Sequence, residues 1–191
     1  MSELIAAVIG GFLAAGTGWL LQNRLEASRV KRTTRLMLVA ICDDLKSSVD
    51  LYDRVLDQWE KTQIVWFTTI NEIRESRMSY LKNREMLVLL ENETLRQRLF
   101  RYYHRSGDHL SLLENQQRRR YDIEGKLNDI IRDLHIRDLS MPRELARKQA
   151  ITLMHSEDQE LVGINTLLPQ NIQRLRDFKM EAKELLAELA K

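Results

Sequence analysis

The chain has few of the residues that cross-link a polypeptide or interrupt its helices. Its 191 residues include one cysteine, Cys42, two prolines and seven glycines, and four of those glycines lie within the first 18 residues. A single cysteine excludes an internal disulfide framework and is typical of a reducing compartment. Because glycine and proline are the strongest helix breakers, their scarcity after residue 18 predicts an almost entirely helical chain.

The sequence also lacks the short motifs of common active sites. It contains no GxxxxGK[ST] or GxGxxG loop for phosphate and no HExxH pair for zinc. Its histidines have no metal-ligand spacing, and no cysteine or histidine lies close to Cys42. We therefore predict no catalytic residues, no cofactor and no metal site.

One long uncharged apolar run stands at the N-terminus. Residues 4–21 read LIAAVIGGFLAAGTGWLL, which as a helix would measure about 27 Å. A cleaved signal peptide is one alternative, but it would carry its positive charges before the run. A buried core helix is the other. The run predicts a single transmembrane helix.

Basic residues follow this run and predict its orientation. They are Arg24, Arg29, Lys31, Arg32 and Arg35. Because the basic flank of a span stays in the cytoplasm, the predicted organisation is an extracytoplasmic end (1–3), a span (4–21), a basic stalk (22–37) and a cytosolic domain (38–191). In bacterial terms this is the inner membrane. The same cations are expected to contact anionic headgroups of the bilayer.

The formal net charge of +2 arises in that stalk. Residues 24–35 carry +4, whereas the chain after residue 35 carries −1. The basic character is therefore juxtamembrane, and nucleic acid is not an expected partner of the cytosolic domain.

Small and large residues occupy different sides of the predicted span. At 100° per residue, the small residues gather on one face, where they allow two helix backbones to approach closely. This face predicts a homo-oligomer or a membrane-protein partner, with contacts at Ala7, Gly10, Gly11, Ala14 and Gly18.

The clearest periodicity follows the stalk. Apolar residues recur with spacings of four and three at Leu38, Cys42, Leu45, Val49, Tyr52, Leu56 and Trp59. This seam predicts a helix over residues 24–61 with a short coiled-coil-like face. An antiparallel helix of the same chain and a second copy of the chain explain it about equally, with a slight preference for the first. The seam is in phase with part of the small face of the span.

The remaining chain predicts further helices separated by breaks. Residues 64–70 are β-branched and aromatic, which favours a packed turn or a distorted helix start, with Trp66 and Phe67 filling the end of the bundle. Breaks are predicted at residues 106–108, at 140–142, where Ser140 would cap a helix, and at 163–169. The predicted fold is all-α: one N-terminal transmembrane helix that continues into a cytosolic helical bundle.

The segment RLFRYYH, from Arg98 to His104, resembles the Arg-x(4–6)-His motif of the HEPN ribonucleases. These are helical bundles in which paired arginine and histidine residues cleave RNA across a dimer interface. The resemblance covers seven residues and implies a membrane-tethered RNase that uses Arg98 and His104.

Three functional hypotheses follow from the sequence. The first is a non-enzymatic, single-pass membrane protein that acts as a scaffold, an adaptor or a subunit of a membrane assembly, with the span face and the seam as contact surfaces. The second is a membrane-perturbing effector of a defence or toxin system. The third is the tethered RNase.

Overall fold

The computed structural model describes the backbone of residues 2–190 and the side chains of residues 18–190. The chain is 91% helical and has no β-strand among the described residues, which confirms the all-α prediction. The helices are α1 (Ser2–Thr62), α2 (Phe67–Glu75), α3 (Met78–Asn83), a 3₁₀ helix (Arg84–Leu89), α4 (Glu93–Arg137), α5 (Arg143–Leu153) and α6 (His155–Leu189).

The bundle is built on α1, α4 and α6, and the short α2 and α3 pack across α1. Helix α6 is antiparallel to α1, as the ion pairs of Lys179 with Asp53 and of Arg176 with Glu60 show. It is also antiparallel to α4, where Arg98 pairs with Glu188 and Arg119 with Glu160, so α1 and α4 run parallel. The main core is apolar and includes Ile41, Leu45, Tyr52, Val55, Leu99, Tyr102, Leu110, Leu113, Leu168, Ile172, Leu175 and Leu185. A smaller core around Ile123, Met154 and Ile164 joins the far half of α4 to α5 and α6.

Helix α1 is continuous from the predicted stalk into the bundle. Every described side chain before Met37 is exposed except the half-buried Thr34, and burial begins at Met37. At 1.5 Å per residue, the segment from Leu21 to Met37 measures roughly 24 Å. Its last turns, from Val30 to Arg35, line a groove with Leu89 and Leu90 at the end of the 3₁₀ helix. The stalk is thus a projecting helix that shares its backbone with the first helix of the core.

The structure gives the predicted span no support. Within the described residues, no helix contains an apolar stretch long enough to cross a bilayer. Most of the span lies outside the described side chains, including Ala7, Gly10, Gly11 and Ala14, although the backbone from Ser2 onward is helical. The transmembrane helix, its small face and the topology that depends on them remain predictions.

Two predicted helix breaks are wrong. Helix α4 passes through residues 106–108 without interruption, and α6 passes through Gly163 and Pro169. The residues on either side of these positions are buried in the core, among them Leu110, Leu168 and Ile172. Burial of these side chains outweighs the unfavourable helix propensity of one glycine or proline.

The other boundaries are close to those predicted. Gln63 has φ 54° and ends α1, and the turn predicted over residues 64–70 is confined to residues 64–66, because α2 begins at Phe67. Trp66 is exposed, however, and does not fill the end of the bundle. The chain also turns at residues 138–142, but there the Asp138 carboxylate accepts hydrogen bonds from the backbone N–H and the hydroxyl of Ser140. Ser140 is therefore not the predicted cap, and Pro142 directly precedes α5.

Candidate interaction surfaces

The predicted seam lies inside the bundle. Leu45, Val49, Tyr52 and Leu56 are buried in the main core, and Leu38 and Trp59 pack against it. The Tyr52 hydroxyl lies 3.3 Å from the Tyr102 hydroxyl of α4. The seam therefore packs within the chain, the alternative that the sequence slightly favoured, and it is not a free docking face in this structure.

The basic stalk residues, in contrast, all point into solvent. Arg24, Arg29, Lys31, Arg32 and Arg35 are exposed, and Glu26 is the one acidic residue between them. Such a helix segment carries exposed positive charge along its length and can bind an anionic surface.

A polar cluster that sequence reasoning missed lies in the core where α1, α3 and α4 meet. Arg77 is 7% exposed, donates to the backbone carbonyl of Tyr103, and has no partner for its Nε. The rings of Tyr80 and Tyr103 stack with centroids 3.8 Å apart. The Asp44 carboxylate accepts the Tyr80 backbone N–H at 2.9 Å. Burial raises the pKa of Asp44.

Gly107 makes room for this arginine. A helix carbonyl points toward the residue four positions later, so the guanidinium that reaches the Tyr103 carbonyl passes over Gly107. A Cβ atom at Gly107 would lie 2.7 Å from Nη1 and 2.8 Å from Nη2 of Arg77. The glycine that suggested a helix break in the sequence therefore serves close packing within an unbroken helix.

A small cavity of about 250 Å³ lies between α4 and α6 and is lined by Arg105, His109, Arg174, Asp177 and Phe178. His109 Nε2 is 2.7 Å from the carbonyl oxygen of Asn171. Because a carbonyl only accepts, Nε2 carries the hydrogen. Burial, followed by the positive charge of Arg174, lowers the pKa of His109 against the opposing effect of that hydrogen bond.

This buried histidine predicts a loss of stability in acid. The unfolded chain takes up the imidazole proton near pH 6.5, whereas the folded protein resists it, so the stabilisation is present above that pH and is lost as the pH falls below it. We expect the melting temperature to fall more steeply between about pH 7.5 and about pH 5 than in His109→Gln. The glutamine amide can still donate to Asn171 but does not titrate.

Circular dichroism melts at a series of pH values test this expectation. The raised pKa of Asp44 has the opposite effect on stability, because it favours the folded protein as the pH falls further. This effect is the same in the unmodified protein and in His109→Gln. Parallel pH profiles for the two proteins would contradict the role of His109.

The residues that resemble the HEPN motif contact different acidic side chains. Arg98 pairs with Glu188 and with Glu184 of α6, the latter at 3.2 Å. His104 Nδ1 lies 2.8 Å from Asp108 on its own helix, with both side chains exposed. The structure holds Arg98 against α6 and leaves His104 in solvent, and it does not join them in one pocket.

A basic run later in α4 is neutralised in the same way. Each of its three arginines has an acidic partner: Arg118 pairs with Glu114, Arg119 with Glu160 and Arg120 with Glu124. Among the described residues, no group of three acidic, histidine or cysteine side chains is placed to hold a metal ion.

An open groove lies between the 3₁₀ helix and the first turns of α4. It has a volume of about 390 Å³ and combines an apolar floor with arginines at its edge. Val88 is 69% exposed and Phe100 52% exposed. The sequence did not indicate this groove, since it forms only when the 3₁₀ helix folds back beside α4.

Comparisons with known proteins assign this chain to no family. No protein-family model, no curated protein and no solved structure matches it. The function is therefore argued from the surfaces described above.

Proposed function

We propose that this protein is a single-pass, membrane-anchored helical interaction protein that acts as a scaffold, an adaptor or a subunit of a membrane assembly. Helix α1 would hold the span at its N-terminal end, the basic stalk would lie at the cytoplasmic surface of the bilayer, and the bundle would present partner surfaces in the cytosol.

The observation that carries the proposal is the continuity of α1. One uninterrupted helix, Ser2–Thr62, contains the apolar run, the exposed cationic stalk and the first helix of the core. A flexible tether would need only a polar linker of irregular structure. A continuous helix instead fixes the bundle relative to the segment that precedes it, so association of the spans would bring the bundles together in a defined arrangement.

Charge supports the orientation. The exposed arginines and lysine of the stalk begin three residues after the end of the apolar run, at Arg24. Each basic residue close to an anionic bilayer surface gains about 1 kcal/mol. The positive-inside rule and this attraction both place the bundle on the cytoplasmic side.

Larger side chains on the small face should weaken association of the span. In Gly11→Leu combined with Ala14→Leu, the added side chains hold the backbones apart and remove the close helix contacts. We expect association in a bilayer reporter assay to fall by about fivefold to tenfold, a loss of about 1–1.4 kcal/mol. Val8→Leu combined with Ile9→Leu, on the opposite face, is the matched control and should associate as the unmodified span does.

Three outcomes would refute or replace parts of this proposal. Release of the full-length protein from membranes by alkaline carbonate would refute the span. Unchanged association of the Gly11→Leu/Ala14→Leu protein would refute the small face. Collapse of the membrane potential on induced expression, dependent on residues 4–21, would replace the scaffold by a membrane-perturbing effector.

A further inference from the structure

We propose that the groove between the 3₁₀ helix and α4 is the docking site for an acidic, amphipathic segment of a partner protein. This inference rests on the proposed role as an interaction protein and names one surface and the chemistry of its occupant. It does not depend on how the spans associate. We call this surface the arginine groove; it is lined by Arg84, Glu85, Leu87, Val88, Arg96, Gln97, Phe100 and Arg101.

The charge of the arginine groove points to an anionic occupant. Three arginines line it against one glutamate, Glu85. Arg96 donates to the backbone carbonyls of Val88 and Leu90, at 3.4 and 3.3 Å, and so fixes the end of the 3₁₀ helix. Among the described residues, Arg84 of the 3₁₀ helix and Arg101 of α4 form no ion pair with an acidic side chain. Arg98, also in α4, pairs with two glutamates of α6.

The apolar floor points to a large hydrophobic anchor beside those charges. Val88 and Phe100 expose most of their side-chain surface toward the groove opening, while Leu87 beneath them is buried. A volume near 390 Å³ falls at the lower end of ligand sites, which span roughly 300–1,000 Å³. An apolar side chain flanked by carboxylates matches both features, because guanidinium groups bind carboxylates in paired hydrogen bonds.

Distance argues against the bilayer as the occupant. The hydrogen bond between Tyr52 and Tyr102 places the start of α4 beside the bundle segment of α1. The 3₁₀ helix reaches further toward the span, because Leu89 and Leu90 line a second groove with Val30, Thr34 and Leu38 of α1. The arginine groove therefore begins roughly 14–26 Å along α1 from the end of the predicted span, at 1.5 Å per residue. Headgroups extend only about 5–8 Å beyond the hydrocarbon core, so a lipid of the same bilayer does not reach it.

Charge argues against a second copy. A twofold contact would place the same surface patch of each copy against the other. The groove carries three arginines against one glutamate, so the net positive charge of one copy would face that of the other. The observations therefore favour a different protein with an acidic segment.

Site-specific photo-crosslinking of the full-length protein in its membrane tests the proposal. A photo-reactive benzoylphenylalanine replaces Val88, and in the control protein it replaces Leu153, an exposed residue of α5. We expect a product at Val88 whose crosslinked peptide contains an apolar residue flanked by aspartate or glutamate. In Arg84→Glu combined with Arg101→Glu, the yield should fall by about tenfold. Arg143→Glu combined with Arg147→Glu, in α5, should leave the yield unchanged.

Each other outcome overturns the proposal. A product with a second copy, a lipid adduct, a partner peptide without acidic residues, or no product above that of the Leu153 control would exclude an acidic partner segment. The same holds for a yield that is insensitive to reversal of the arginine charges. Carbonate extraction, in contrast, tests only the anchor, so failure of the proposed function and failure of this inference give different results.

Discussion

Leu45→Ala is expected to lower the free energy of unfolding by about 2–5 kcal/mol, which is the range for a buried leucine truncated in a well-packed core. Leu45 is 0% exposed in the main core formed by α1, α4 and α6. The truncation removes buried apolar surface and leaves a cavity that a bundle of long helices closes only partly.

The matched control is Leu36→Ala, nine positions earlier on the same helix. Leu36 is 62% exposed, so its truncation should change stability by less than about 0.5 kcal/mol. Both variants can be melted as full-length proteins in detergent at several protein concentrations. Because Leu45 packs within its own chain, its effect should not depend on concentration. A difference in melting temperature between Leu45→Ala and the unmodified protein that changes with protein concentration would instead indicate that the seam is an intermolecular coiled coil.

Gly107→Ala should destabilise the protein, although alanine is the better helix former. The new Cβ would meet the Arg77 guanidinium at 2.7–2.8 Å and force it away from the Tyr103 carbonyl. A hydrogen bond to a charged group is worth about 1.5–3 kcal/mol, and the gain in helix propensity is up to about 1 kcal/mol. The net loss should be about 0.5–2 kcal/mol.

Gly125 provides a control on the same helix. A Cβ at Gly125 would meet nothing within 4 Å, so Gly125→Ala should stabilise the protein by about 0.5–1 kcal/mol. In an Arg77→Met background the guanidinium is absent, and Gly107→Ala should then stabilise as well. Urea unfolding of these variants gives the coupling between the two positions directly. Equal effects of the two alanine substitutions would show that Arg77 does not need the space above Gly107.

Helix α1 was predictable because its pattern is local and regular. The spacing from Leu38 to Trp59 follows a period of 3.5 residues, and the helix from residue 24 to residue 61 is observed within Ser2–Thr62. The turn after residue 63 was predictable for the same reason, since a β-branched and aromatic run interrupts the pattern.

The two helix breaks were predicted wrongly because the helix propensity of glycine or proline is a property of that residue alone, whereas burial depends on residues that are distant in the chain. Gly107 lies in a helix because Arg77, thirty positions earlier, fills the space that its missing side chain leaves. Pro169 lies in a helix between the buried Leu168 and Asn171. The sequence around Gly107 or Pro169 does not show which distant part of the chain packs against it.

The arginine groove was not predictable from the sequence. Arg84 and Arg101 are separated by 3₁₀ helix, turn and helix. In the sequence Arg101 follows Arg98, which the fold pairs with glutamates of α6, so position in the chain does not tell the two arginines apart. The densest basic run, from Arg118 to Arg120, turned out to be neutralised by glutamates of α4 and α6. A charge count along the chain does not distinguish a paired arginine from one that is free to bind.

The sequence by itself determined that the chain is helical, that its longest apolar periodicity lies in the first helix, and that its net positive charge lies beside the apolar run. These properties follow from composition and short-range spacing. Only the tertiary structure decided which face of α1 is buried, that Gly107 accommodates a buried arginine, and which arginines are left without an acidic partner. Such features depend on residues that are distant in the chain and adjacent in the fold, so no local pattern encodes them.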